Sequence, residues 1–442
     1  MSEAQGIKQA VIMAGGKGTR LAAITKDIIP KPMVPLLDKP LLEWQVECLK
    51  ANGIDDIIMV IGHLGEVVRA YFADGAKWGL NIRYFVEEEP MGTAGALPKM
   101  REVLTDAFIL LFGDLLLDVD FGRMAEFHQQ KQALATLFVH PNSHPFDSDL
   151  IITDDNDKVT GFDSKHNDRS SYWYANCVNA GLYIMDRKIL SYIPDKLKVD
   201  LEKEVLAPLC EQNAKIYAYS SPEYVKDVGT VERIRVAESE LKSGFVAARN
   251  LKHKQRAIFL DRDGTVNINK GLVYEPEQLE LEDCAVEAIR LIDQSGYLAV
   301  LVTNQPVVAR GLCSVEEVEE IHRKLQTLLG RQGVYLDGIA FCPHHPDKGY
   351  PEENPAYKVP CDCRKPGIAM LERCAERFNI DLAISWVVGD TTVDLQTGKN
   401  AGCRTALVLT GEAGRDGKFA VEPDLTAANL LAAVKEILAK EN

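Results

Sequence analysis

The 442-residue chain exceeds the size at which one hydrophobic core usually stops growing, so two substantial domains are expected. Its 65 acidic against 50 basic residues leave a net charge of −15, which argues against nucleic acid or an anionic membrane as the main partner. With 46% hydrophobic residues, no low-complexity tract, no signal-like start and no apolar run of membrane length, the sequence reads as a globular, cytoplasmic protein.

Through the first half, apolar runs alternate with amphipathic stretches: QAVIMA, PLLEWQVECLKANG, IDDIIMVIG, LGEVVRAYFADGAKWG and AFILLFGD. The short Ile- and Val-rich runs predict strands and the longer periodic ones predict helices. This rhythm resumes at RAIFLDRDG and continues through GYLAVLVTNQ, the helical SVEEVEEIHRKLQTLLGRQG, LDGIAFC, SWVVGD and TALVLTG. The predicted fold class is therefore α/β, with two domains, each a mainly parallel sheet flanked by helices. Between them, VERIRVAESELKSGFVAARNLKHKQ reads as a helix running into a basic, polar connector. That places the domains at 1–242 and 255–442, with a connector at 243–254.

The first expected strand, Gln9 to Met13, empties into Ala14-Gly15-Gly16-Lys17-Gly18-Thr19-Arg20-Leu21. Such a glycine-dense turn lets backbone N–H groups approach a phosphate chain while Lys17 and Arg20 supply charge, a cradle for a triphosphate. It has neither the third glycine of a dinucleotide fingerprint nor the ending of a P-loop. Further ordered motifs follow: IIPKPMVPL with Lys31, EEEPMGTAGAL from Glu87 to Leu97, FGD ending at Asp114, VNAGLYIMD from Val178 to Asp186, and KDVGT with Asp227. Together with GGKGTRL these resemble the sugar-phosphate nucleotidyltransferases, a Rossmann-like family, over roughly residues 8–240. The resemblance implies that Asp114 and Asp227 hold a Mg²⁺ joining nucleotide and sugar phosphates, with Arg20 and Lys31 stabilising charge at the reacting phosphorus. It further implies nucleotide contacts from Gly15, Gly16, Gly18, Thr19, Glu87, Gly92 and Thr93, and sugar contacts from Asn179, Gly181, Glu202 and Lys203. A solvated helix face is the plainer reading of Glu202 and Lys203. After Leu21 the run Ala22-Ala23-Ile24 lacks the proline common in the family and looks more like the heptose 1-phosphate guanylyltransferases.

In the second half the strand RAIFL ends in Asp261-Arg262-Asp263-Gly264-Thr265. Two carboxylates spaced i, i+2 at a strand end can face one pocket, one as nucleophile and metal ligand, the other as acid and base. With Thr303-Asn304-Gln305, Arg364-Lys365-Pro366 and Gly389-Asp390 followed by Asp394, this set resembles the haloacid dehalogenase (HAD) phosphatases over about residues 256–412. The resemblance implies attack by Asp261 on phosphorus, proton transfer by Asp263, and Mg²⁺ on Asp261, Asp390 and Asp263, the last through its carbonyl. Thr265, Thr303, Asn304, Gln305 and Arg364 would lie around the substrate, Lys365 would pair with its phosphate, and Asp394 would orient Lys365 or the metal shell.

Cys342 and His344, then Cys361 and Cys363, offer one nitrogen and three sulfurs, a closed tetrahedral set for a structural Zn²⁺ in a loop over 342–363. His345 is a bystander by spacing, and Cys48, Cys177, Cys210, Cys284, Cys313, Cys374 and Cys403 read as reduced, packed thiols. The zinc loop narrows the resemblance to the heptose bisphosphate and histidinol-phosphate phosphatases. There Thr-Asn-Gln is commonly followed by Ser-Gly, whereas Pro306-Val307 stands here, so an altered loop beside the substrate is expected.

The joint expectation is a bifunctional enzyme that takes a heptose bisphosphate to GDP-heptose, using Mg²⁺ at both sites and a structural Zn²⁺. Its partners would be a nucleoside triphosphate and sugar phosphates, with a homo-oligomer left open and no nucleic acid or membrane. Two rivals stand beside it: a mannose 1-phosphate guanylyltransferase joined to a phosphatase of another substrate, and a chain in which one domain only binds.

Overall fold

The computed structural model describes residues 6–16, 25, 26, 28–349 and 352–440. Contacts divide the chain into two units: residues 1–140, 151–163 and 178–250 in the first, and residues 141–150, 164–177 and 251–442 in the second. The second unit begins at Leu251, inside the stretch read as connector, and also takes in two segments that lie far earlier in the sequence. Those segments are held by the polar side chains of one helix, Val315–Arg331. The Tyr174 amide donates to Thr327 Oγ1 at 3.0 Å and the Asn176 amide to Gln326 Oε1 at 2.8 Å.

The first unit is built on a nine-stranded sheet. Its centre is parallel, with Gln9–Met13 between Asp56–Ile61 and Ala107–Phe112, and Asn81–Val86 outside Asp56–Ile61. These strands read as nearly unbroken Ile, Val and Leu because both faces are covered. Ala10, Val11, Ile12, Ile57, Met59 and Leu111 have no exposed surface. The sheet is mixed rather than mainly parallel, because the long strand Val178–Asp186 runs antiparallel to Ala107–Phe112 and to Ala135–His140. A bulge between Asn179 and Tyr183 shifts its register. A separate antiparallel pair, Leu115–Asp118 with Tyr224–Asp227, follows the end of the central strands and aligns Asp227 opposite Leu115.

The second unit carries a six-stranded sheet with every pair parallel. Its order is Gly338–Cys342, Tyr297–Asn304, Arg256–Leu260, Trp386–Gly389, Arg404–Val408, Leu425–Ala427. Numbered along the chain this is 3-2-1-4-5-6, which reverses direction between Arg256–Leu260 and Trp386–Gly389 and opens a crevice at their carboxyl ends. Helices cover both faces. One face packs Ile258, Leu260, Ile289, Leu325 and Val434, and the other packs Phe259, Val300, Leu371 and Phe378. Capping boxes start two of the helices, Ser314 with Glu317 and Thr391 with Asp394. Among the described residues no helix is long and apolar enough to cross a membrane.

Candidate functional site

In the first unit the motifs converge at the carboxyl end of the central parallel strands. The Gly113 amide donates to Met13 O at 3.0 Å, and a Cβ on Gly113 would lie 3.1 Å from Pro32 and 3.2 Å from Ala14. Ala14, the Pro32 ring and Gly113 therefore pack closely, and a larger residue at 113 would require its neighbours to give way. Lys31 Nζ forms an ion pair with Asp114, and Arg233 forms one with Asp227. The Val228 amide donates to Asp114 O at 2.8 Å, which ties the turn carrying Asp114 to the residue after Asp227. Asp114 and Asp227, each paired with a cation, are hard oxygen donors of the kind Mg²⁺ takes. Gly15 and Gly16 lie at this end, and a Cβ on Gly15 would fall 2.4 Å from Glu87 Oε2. Burial pushes the Glu87 carboxyl up, against the lowering effect of the Met91 amide that it accepts. Gly18, Thr19 and Arg20 lie outside the described residues.

A second cluster forms around Glu202. Gly92 adopts φ +76° and bridges to Val199, whose carbonyl a Cβ on Gly92 would meet at 2.4 Å. Thr93 Oγ1 accepts from the Leu201 amide at 2.7 Å, so the Gly92-Thr93 turn anchors the start of the helical segment Glu202–Leu206. Glu202 Oε1 accepts from Asn179 Nδ2 at 2.7 Å and from the Tyr183 hydroxyl at 2.8 Å. The bulge at Gly181, φ +73°, allows Asn179 and Tyr183 to reach the same carboxylate. Lys203 is exposed, and its amide donates to Asp200 Oδ1 at 3.0 Å.

In the second unit the strand ends frame a cleft of ≈ 320 Å³ lined by Asp261, Asp263, Thr303, Asn304, Gln305, Arg364, Lys365, Asp390 and Asp394, among others. Lys365 Nζ donates to Asp261 Oδ1 at 2.6 Å, to Asp394 Oδ1 at 2.5 Å and to Val302 O at 2.9 Å. Asn304 holds the Lys365 backbone from both sides, donating to its carbonyl at 3.1 Å and accepting from its amide at 2.9 Å. Oxygens of Asp261, Asp390 and Asp394 lie within 4.8 Å of one another, and Lys365 is the ammonium bonded to two of the three carboxylates. Burial, opposed by Lys365 and reinforced by Asp394 and Asp263, raises Asp261 to about 7. Burial and the charge of Asp261 raise Asp390 to about 8, and among the described residues buried Asp390 Oδ1 has no hydrogen-bond partner. A buried, unpartnered carboxylate oxygen among crowded acids fits a hard dication such as Mg²⁺.

The Asp263 side chain stands apart from this cluster, which leaves its backbone carbonyl as the ligand expected from sequence. It accepts from Asn267 Nδ2, Gln305 Nε2 and Arg262, each at 3.0 Å in its shortest contact. Burial raises its pKa, but Arg262 and these hydrogen bonds outweigh it and hold the carboxyl below its ordinary range. Thr265, expected beside the substrate, is fully buried and does not line the cleft, because the turn after Arg262 rotates it inward. Pro306 and Val307 both line the cleft, and Val307 also packs into a small core with Val308 and Val318.

Cys342, His344, Cys361 and Cys363 come together from the end of one strand and a loop 19 residues farther on. Their Sγ–Sγ separations are 3.3, 3.4 and 3.6 Å, and His344 Nδ1 lies 3.7 and 3.5 Å from Cys342 and Cys363. Four sulfur and nitrogen ligands about 2.0–2.3 Å from a tetrahedral Zn²⁺ are about 3.3–3.8 Å apart, so the set fits that ion. Arg364, next in the chain, donates to His344 O at 3.1 Å, and His345 instead accepts from the Asp347 amide.

Residues 9–244 match the nucleotidyl transferase family, and residues 362–433 match a HAD-hydrolase-like family. Over 167 residues the chain is 43% identical to a D-glycero-beta-D-manno-heptose-1,7-bisphosphate 7-phosphatase of Pasteurella multocida, covering 37% of this chain and 88% of the relative. The chain belongs to the nucleotidyl transferase family in its first half and to the HAD-like phosphatases in its second. The transferase half is 33% identical over 237 residues to a UTP–glucose-1-phosphate uridylyltransferase of Synechocystis, covering 50% of this chain. It is also 33% identical over 245 residues to a mannose-1-phosphate guanylyltransferase of Mycobacterium tuberculosis, covering 55% of this chain and 67% of the relative. The chain spans 60% of the length of that uridylyltransferase.

Several residues of the nucleotidyl transferase–phosphatase fusion escaped the sequence reading. Tyr183 was within reach of it, since positions four apart on a strand share a face. Arg233 lies one turn into the helix after Asp227, where only geometry reveals the pairing. Gly411, with φ +55°, lies against Asp390, and Thr410 Oγ1 donates to Gly264 O at 2.6 Å. His322 and Arg262 looked like an ordinary helix residue and a spacer.

Proposed function

We propose that this chain makes a nucleotide-activated heptose in two steps. The phosphatase half removes the 7-phosphate of D-glycero-D-manno-heptose 1,7-bisphosphate, and the transferase half joins the resulting 1-phosphate to GMP from GTP, releasing pyrophosphate. The observation that carries this reading is the fit between the halves. The phosphatase relative acts on a heptose 1,7-bisphosphate and would leave a sugar 1-phosphate, the class of substrate named for both transferase relatives. Glu87 supports the choice of GTP. An ionised carboxylate only accepts hydrogen bonds, and guanine offers N1–H and an amino group side by side, whereas uracil offers one N–H between two carbonyls.

In the phosphatase, Asp261 attacks the 7-phosphorus and an aspartyl phosphate forms as the bond to the sugar oxygen breaks. Lys365 sits between Asp261 and Asp394, where it can balance the phosphoryl charge while Asp394 keeps it in place. Asp263 exchanges the proton, giving it to the sugar oxygen and later taking one from water. In the transferase, the anionic sugar phosphate needs no base. Lys31 and Arg20 stabilise charge at the α-phosphorus, Gly92 and Thr93 admit the nucleotide, and Asn179, Tyr183 and Glu202 receive sugar hydroxyls. Asp114 and Asp227 in one half, and Asp261 and Asp390 in the other, would hold Mg²⁺, whose charge offsets that of the phosphates. The four-residue cysteine and histidine set would hold Zn²⁺ as a structural staple.

The test is phosphate release from both anomers of the bisphosphate, then pyrophosphate release with each nucleoside triphosphate, with Asp261→Asn and Asp114→Asn as controls. Phosphate first and GTP-dependent pyrophosphate second would support the proposal. The identity to the uridylyltransferase favours one second reading, UTP with a hexose 1-phosphate, and the same panel would reveal it.

A further inference from the structure

Arg262 has no exposed surface, and a guanidinium enclosed in this way must find acceptors for its N–H groups. It finds them on three residues. Its NH2 group donates to Asp263 Oδ2 at 3.0 Å and to Gln305 Oε1 at 2.9 Å, and its NH1 group faces His322 Nε2 at 3.4 Å. Arginine has no acceptor atom, so Nε2 of His322 must carry the lone pair and the imidazole is neutral. Burial and the neighbouring Arg262 charge agree, lowering the His322 pKa to about 3. The ring is fixed from its other side by an edge contact to Phe341, with centroids 5.1 Å apart. Gln305 closes the network, donating to Asp263 Oδ2 at 3.0 Å and to Thr303 Oγ1 at 2.9 Å. His322 is thus the residue through which the helix Val315–Arg331 reaches this network.

We propose that His322 is a positioning residue for the hydrolytic half of the phosphatase reaction: it fixes Arg262, which with Gln305 sets the Asp263 carboxylate toward the water that attacks the aspartyl phosphate. In that step a bond forms between water oxygen and phosphorus, the bond from phosphorus to Asp261 breaks, and the water proton passes to Asp263. The inference rests on the roles of Asp261 and Asp263 given above. His322 touches neither the substrate cleft nor the metal-binding carboxylates, so its effect should fall on the rate of one step and leave binding alone.

The probe is 4-nitrophenyl phosphate, whose leaving group departs without a proton, so the first half-reaction does not need Asp263. In the full-length protein with Mg²⁺, His322→Phe keeps a ring against Phe341 and removes the acceptor. The steady-state rate should fall about ten- to a hundredfold, part of what a general base contributes. KM should fall with it, and a burst of about one nitrophenolate per active site should appear. His322→Gln restores an acceptor and should recover the rate to within about threefold. Gln305→Met breaks the other arm of the network and should give the same burst, which keeps the test open if His322→Phe does not fold. A lower kcat/KM with no burst and a lower Tm would assign His322 a purely structural role and overturn the inference, as would failure of His322→Gln to restore the rate. An error in the underlying mechanism would look different, because Asp261→Asn would then retain turnover.

Discussion

Replacing Gly411 with alanine would place a methyl carbon 2.0 Å from Asp390 Oδ2 and 2.9 Å from the backbone of Gly264. Ordinary contact needs about 3.4 Å or more, so the carboxylate would have to retreat by more than about 1 Å. Gly264 blocks the other side, since its own φ is +83° and its backbone lies against the same oxygen. The retreat also breaks the hydrogen bond from the Glu412 amide to Asp390 Oδ2, 2.7 Å long. An alanine at φ +55° adds a backbone cost of about 1–2 kcal/mol, too little to unfold the domain at 25 °C. A displacement of this size at a catalytic group costs on the order of a hundredfold in rate. We therefore expect Gly411→Ala to lower phosphate release about a hundredfold or more. Pyrophosphate release by the transferase half of the same preparation should stay within about twofold, which serves as the internal control. Phosphatase activity within threefold of the unmodified protein at saturating Mg²⁺ would refute the claim that Asp390 is held where it acts.

Three further outcomes follow from the same geometry. Asp261 and Asp390 are raised from the usual 3.8 to about 7 and about 8, so the stability they contribute is full below pH ~4 and is lost as pH rises through those values. In EDTA the phosphatase Tm should fall by about 5 °C or more between pH 5 and pH 8.5, and Mg²⁺ should restore it at the upper end; a flat profile would contradict the crowded-carboxylate account. Cys361→Ser should lower bound zinc below one per chain by elemental analysis and cut phosphatase activity at least tenfold, since the loop it secures carries Arg364 and Lys365. Glu87→Gln replaces an acceptor with a group that can also donate, and should reduce the preference for GTP over UTP in kcat/KM by about tenfold or more, a bidentate contact being worth about 1–3 kcal/mol.

The strand pattern of the second unit was legible because an all-parallel sheet buries both faces, leaving RAIFL, YLAVLV and WVVG as unbroken apolar runs that end where chemistry begins. In the first unit the same pattern predicts a mainly parallel sheet, whereas the sheet is mixed. A buried antiparallel strand such as Val178–Asp186 has the same composition, and chain direction leaves no mark on it. The packing of residues 141–150 and 164–177 with the second unit was equally hidden, because Thr327 and Gln326 look like surface residues of an amphipathic helix.

Residues that act by their own chemistry, such as Asp261, Lys365 and the cysteine set, announce themselves by type and spacing. Residues that act by holding others do not. Arg233 could have faced solvent, and His322 lies on the buried face of its helix, where a histidine usually reports nothing beyond packing. Thr265 shows the converse error: its position in the Asp-Arg-Asp-Gly-Thr motif suggested a substrate contact, yet the tight turn closed by Asn267 and Val266 amides on Arg262 O carries its side chain into the core. The same turn directs the fully buried Arg262 toward Asp263, Gln305 and His322. A turn that buries a threonine to aim an arginine can be understood only once three separate segments, Arg262–Asn267, Thr303–Gln305 and the helix bearing His322, have been brought to one place.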